Sequence, residues 1–155
     1  MKLVVIADYP PKPRSYFYDP SGHVTEPLFA AMMKVLCYKP ATKDDGLREF
    51  QQRGWLFVNA TYRLSHDLKS LEHREAILQS YPTLLAELTK MVPDKSTPIL
   101  LIRAVLRRLL ESRLTDDGFT VLNFGSEICS PLTDAEKFRE DFAALCERVG
   151  LSIGL

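Results

Sequence analysis

Three polar residues stand directly behind short apolar runs, and their side chains suit one kind of work. Asn59 closes the stretch Gly54-Trp55-Leu56-Phe57-Val58-Asn59, and its amide offers the paired acceptor and donor needed to grip the edge of another amide or a heterocycle. Asp8 and Tyr9 follow the first run, with the aromatics Tyr16-Phe17-Tyr18 soon after, and Arg103 follows the third. A fourth run leads through Asn123-Phe124-Gly125-Ser126 into Ile128-Cys129-Ser130-Pro131-Leu132-Thr133. Together these segments supply a carboxylate, an amide, aromatic faces and a cation. A planar heterocycle would be stacked by an aromatic ring and hydrogen-bonded along its edge by such a set.

The elements that must position these groups can be read from the apolar pattern. Leu3 to Ala7, Trp55 to Ala60, Ile99 to Ile102 and Phe119 to Leu122 are nearly continuous rather than alternating. That suits strands covered on both faces, as in a parallel sheet, where ligands sit in the crevice at the carboxyl ends. Helix spacing fills the gaps: Leu28, Phe29, Met32, Met33 and Leu36; then Ile77, Tyr81, Leu84, Leu85 and Leu88; then about Val105 to Arg113; then Phe138, Phe142, Leu145 and Val149. Pro82 falls inside the second set and predicts two helices or a kink there, since an interior proline costs ~3 kcal/mol. Thr133 and Glu136 have capping-box spacing for the last helix, and Gly150 is placed to end it. Lys39 to Gly46 reads as a surface connection, and a short helix fits from Asp44 or Asp45 to Gln52. Alternating strands and helices with right-handed crossovers predict one domain over 1–155, an α/β/α sandwich around a four-stranded parallel sheet. Pro10-Pro11-Lys12-Pro13 would stiffen the loop behind the first strand.

Composition narrows the partners. Twenty basic and twenty acidic residues cancel, so any contact with DNA must rely on a local patch rather than on overall charge. Cys37, Cys129 and Cys146 lack the paired spacing of a zinc or iron–sulfur site, and no metal cluster or cofactor is expected. The first residues lack the apolar core of a signal peptide, and no run approaches the ~20 residues of a membrane span, so a cytoplasmic protein without membrane contact is expected.

Each candidate also has a plainer role. Asp8 either caps the turn after the first strand or acts on a ligand; Asn59 either satisfies buried backbone groups or meets a ligand. Tyr16, Phe17 and Tyr18 form a hydrophobic plug unless one of them, Phe17 first, faces the pocket. Arg103, Arg107, Arg108 and Arg113 read as a solvated helix face. His23, His66 and His73 read as surface residues, with His66 the one placed to act near Asn59.

Three segments resemble the uracil-DNA glycosylase superfamily. Gly54-Trp55-Leu56-Phe57-Val58-Asn59-Ala60 resembles the strand whose terminal Asn recognises uracil. Ala7-Asp8-Tyr9-Pro10-Pro11 is similar to the loop carrying the water-activating acid. Ser130-Pro131-Leu132-Thr133, leading into Glu136-Lys137-Phe138-Arg139, resembles the serine-proline loop that presses on DNA. The chain departs from the family in four places. Tyr9 stands where one branch has its catalytic Asp, while Asp8 matches the acid of another branch. Ile128 aligns with the His that stabilises the departing base, Ala7 replaces a glycine, and Arg103 stands where a small residue is common.

The resemblance implies a compact glycosylase-like fold with a nucleobase, nucleotide or DNA ligand. It implies Asp8 as acid or water-positioning residue and Asn59 as base reader; the residues themselves suggest Phe17 as stacking plate, with Tyr9, Tyr18, Arg103 and Ser130 around the ligand. Excision needs a carboxylate for the cationic sugar and donors for the departing base, and losing one such donor commonly costs ~10²–10³ in rate. Asp8 meets the first need; Ser130, Arg103 or backbone amides would have to meet the second in place of Ile128. Three readings follow: a non-catalytic base-binding relative, an active base-excision enzyme, and an unrelated small α/β enzyme of the same layering.

Overall fold

A computed structural model describes residues 1–8, 16–61 and 70–151. Four strands, β1 (Leu3–Ala7), β2 (Trp55–Asn59), β3 (Pro98–Leu101) and β4 (Thr120–Val121), form one parallel sheet in the order β2-β1-β3-β4. Five helices accompany them: α1 (Pro27–Val35), α2 (Lys43–Gln52), α3 (Ser70–Met91), α4 (Ala104–Asp116) and α5 (Ala135–Arg148). The central strands β1 and β3 are buried along their whole length, which is why their sequences carry no polar alternation.

The pleat divides the core in two. Leu3, Val5 and Phe57 face Phe29, Met32 and Met33 of α1, Phe50 of α2, and Phe138 and Phe142 of α5. Val4, Ile6 and Val58 face Ile77, Leu84 and Leu88 of α3 and Leu106, Leu110 and Leu114 of α4. Each β-residue pair thus feeds both faces, as the period of two demands. The first face is crowded with rings. Phe17 stacks on Phe57 with centroids 4.4 Å apart and meets Phe50 edge-on at 5.0 Å. α1 and α2 approach closely at Gly46, where a Cβ would come within 2.4 Å of the Phe29 ring. Lys43 is buried beside this contact; its Nζ donates to Tyr16 O at 2.7 Å and pairs with Glu26 at 2.5 Å, tying the segment before α1 to α2.

Four local expectations need correction. Two separate helices are not formed at Pro82: α3 runs unbroken through it. Pro82 lies on the exposed side of the helix, while Tyr81 and Leu84 beside it stay buried. The cap of α5 is Asp134 rather than Thr133: its Oδ1 accepts the N–H groups of Glu136 and Lys137 at 3.1 Å each. Val149 is exposed, and Cys146, one position on from Leu145, takes the buried place. Gly150 does end the helix: at φ +71° it donates to Glu147 O while Leu151 N–H reaches Cys146 O, the paired bonds of a Schellman motif. α2 begins at Lys43, one residue before the expected start, because Thr42 accepts the Asp45 N–H at 3.1 Å.

Candidate functional site

The register pairs Ala7 with Asn59, so Asp8 and Asn59 leave adjacent strands almost side by side at the carboxyl edge. Beyond that pair the ladder loses its regularity. Ala60 N–H donates to Ala7 O at 2.7 Å and Thr61 N–H to Asp8 O at 2.9 Å. A regular parallel ladder would skip a residue between such bonds, so the two chains turn together as they leave the sheet.

Asp8 is buried, 4% exposed, and faces the α3–α4 side. Its Oδ2 lies 2.9 Å from Arg103 Nη1 and 3.2 Å from His73 Nε2. Because a carboxylate only accepts, the imidazole contact is a hydrogen bond when Nε2 carries the proton. Arg103 sits at the N-cap of α4 in an extended conformation, and its side chain bends to Asp8 instead of capping the helix. About half of its guanidinium side chain stays in solvent, so the ion pair desolvates the carboxylate far more than the cation. His73 comes from the first turn of α3 and is largely enclosed.

Asn59 is 7% exposed. As the fifth residue of β2 it shares the pleat of Trp55 and Phe57, opposite to the face that receives Asp8. Among the described residues, no hydrogen bond is made by its side-chain amide. Together with Ala60, Thr61, Ser80, Thr83, Leu84 and Glu87 it lines a cavity of about 270 Å³, in which Ser80 Oγ donates to Thr61 Oγ1 at 3.0 Å. Ser80, Thr83, Leu84 and Glu87 belong to α3, so the cavity opens on the Asp8 side of the sheet and meets Asn59 at the edge of β2. A molecule touching both Asp8 and Asn59 must therefore straddle the edge of the sheet between β1 and β2.

Arg103 and Asn59 thus join Asp8 at one end of the sheet, as the sequence suggested. Phe17 does not. Its ring is enclosed by Phe57, Phe50 and Phe29, which leaves no face for a ligand; the segment serves as the plug instead. Tyr18 is half-exposed but lies along the open side of β2, where its Oη accepts the Phe57 N–H at 2.7 Å and its ring lines a cavity with Met1, Gly54 and Trp55 near the start of the strand. Ser130 turns the chain into α5, its Oγ accepting the Leu132 N–H at 3.2 Å and its carbonyl the N–H groups of Thr133 and Asp134. The neighbouring Cys129 N–H donates to Asp141, and this bond, ahead of the Lys137 contact, holds the Asp141 carboxyl below its ordinary value. Ile128 packs against the aromatic core. Tyr9, the proline-rich loop, Tyr62 and His66 lie outside the described residues.

His73 was missed by reading its polar neighbours. Its spacing was the better guide: it precedes Ile77 by four residues and so continues the buried stripe Ile77-Tyr81-Leu84-Leu88 toward the sheet. Asn123 also changes role. Fully buried, its Oδ1 accepts the Leu101 N–H at 3.1 Å and its Nδ2 donates to Leu101 O at 2.7 Å, so it imitates a strand residue beside β3.

Among the described residues, no cluster of three or more His, Cys, Asp or Glu side chains is arranged to hold a metal ion, and no helix is long and apolar enough to cross a membrane. Comparisons with protein-family models, curated proteins and solved structures gave no match.

Proposed function

We propose that the chain binds a nucleobase, or a similarly planar hydrogen-bonding ligand, at the carboxyl ends of β1 and β2, as a uracil-DNA glycosylase-like protein. The observation that carries this reading is the pairing of Asp8 and Asn59 on adjacent strand ends, with the Asn59 amide uncommitted among the described residues. An asparagine amide presents a donor and an acceptor side by side, which complements the carbonyl and N–H edge of a pyrimidine. The four-stranded parallel sheet with helices on both faces agrees with the layering that the resemblance implies.

Titration of the protein with free uracil, followed through its backbone amides, tests the proposal. Shifts should concentrate at Asp8, Asn59, Ala60 and Thr61 and should be lost in Asn59→Ala. Equal affinity in that variant would refute the role of Asn59.

A second reading, hydrolysis of the N-glycosidic bond, is favoured by one feature. Asp8 keeps Oδ1 without a partner among the described residues while Oδ2 is anchored, the arrangement a carboxylate needs to orient water toward a cationic sugar. Release of uracil from a uracil-containing oligonucleotide, lost in Asp8→Asn, supports this reading. No release from single- or double-stranded substrate at enzyme in excess rejects it.

A further inference from the structure

We propose that His73 and Arg103 are positioning residues, which hold the Asp8 carboxylate by its single oxygen Oδ2 and so aim Oδ1 across the carboxyl edge of the sheet toward the ligand. The inference rests on the reading of that edge as the ligand site.

The two groups reach the same atom from different helices. Arg103 Nη1 approaches from the N-cap of α4 at 2.9 Å, and His73 Nε2 from the first turn of α3 at 3.2 Å. One contact would leave the carboxylate free to swing about the bond; an ion pair and an imidazole hydrogen bond converging from two helices restrict its rotamer. The helices themselves do not need this cluster. α3 and α4 already share an aliphatic seam of Leu84, Leu88, Leu106, Leu110 and Leu114 against the sheet. A buried polar cluster adds little stability over apolar residues of the same volume, so an ion pair and an imidazole gathered on one strand-end carboxylate point to orientation. The balance of exposure agrees. Asp8 is almost wholly enclosed, whereas Arg103 keeps about half of its side chain in water and can supply its charge without the full desolvation cost.

The test measures the Asp8 side chain directly in the isotopically labelled full chain. Three-bond couplings from Asp8 Cγ to the backbone nitrogen and carbonyl carbon report its χ1 population, with thermal unfolding run in parallel. One rotamer is expected in the wild type, averaged couplings in Arg103→Met and His73→Phe, and restored couplings in Arg103→Lys and His73→Gln. Affinity for free uracil should fall ~10-fold or more in the first two variants and recover in the conservative pair. Wild-type couplings in both Arg103→Met and His73→Phe would overturn the inference, and so would a loss of uracil affinity that the conservative variants fail to restore. Should His73→Phe fail to fold, the Arg103→Met couplings, compared with Arg103→Lys, decide alone. Absence of uracil binding by a wild type whose Asp8 responds as expected would count against the ligand reading and leave the clamp standing.

Discussion

Asn59 and Asn123 both stand at the carboxyl ends of strands, β2 and β4, and the sheet treats them differently. Asn123 spends its amide on Leu101, completing the ladder where β4 stops after two residues. Asn59 ends a five-residue strand whose backbone is already paired with β1, and its amide makes no bond among the described residues. The residue type is the same, but Asn59 ends its strand while Asn123 lies two residues past β4, and the local demand for a backbone partner differs. The β4 end is therefore closed and structural. The β1–β2 end carries an anchored acid and an uncommitted amide, and it is the end to which the proposal assigns the ligand.

The comparison can be broken most forcefully through the aromatic plug. If Phe17 belongs to the closed part of the molecule, Phe17→Ala lowers stability by about 3–5 kcal/mol in urea unfolding and Phe17→Leu by much less. A Phe17→Ala protein of undiminished stability that no longer binds uracil would move the ring back to the ligand. Asn123→Ala comes next. It strands the buried N–H and carbonyl of Leu101, and a loss of about 2–4 kcal/mol is expected in the same assay. Asn59→Ala, by contrast, should change stability by less than about 1 kcal/mol, since no hydrogen bond among the described residues is lost. Equal losses at the two sites would erase the distinction.

A smaller effect concerns pH. Asp141 holds the Cys129–Ser130 turn, and the Cys129 N–H, followed by Lys137, keeps its carboxyl below the ordinary 3.8. A carboxyl whose value is lower in the folded state contributes stability that is present above the unfolded value and lost as pH falls through the folded one. The turn should therefore loosen in acid below about pH 4, seen as faster hydrogen exchange at Cys129. Asp141→Asn should remove that dependence, and an unchanged acid profile in the variant would assign the loosening elsewhere.

Much of the architecture was legible because burial on two faces leaves a plain mark. The continuous apolar runs of β1 and β3 announced a covered parallel sheet, and the 3.6-residue stripes announced the helices. Pro82 misled because propensity says nothing about which side of a helix meets water. Thr133 was displaced as cap by Asp134 because both are good acceptors and only the path of the preceding turn decides between them. The gathering of Asp8, Asn59 and Arg103 at one end of the sheet was readable from their place behind apolar runs. Phe17 was not, since sequence cannot distinguish a ring that waits for a ligand from one that fills a gap over Phe57. His73 needed its helix phase to be followed one turn beyond the last apolar residue. Asn123 needed the length of β4, which the apolar run overstated.

The most direct test of the central claim is a uracil titration of the wild type and Asn59→Ala followed by backbone amide shifts, with Asn123→Ala as the comparison. The account predicts saturable shifts at Asp8, Asn59 and Thr61 in the wild type, their loss in Asn59→Ala at unchanged melting temperature, and their persistence in folded Asn123→Ala. Wild-type affinity in Asn59→Ala, or shifts gathered at the β4 end instead, would contradict it.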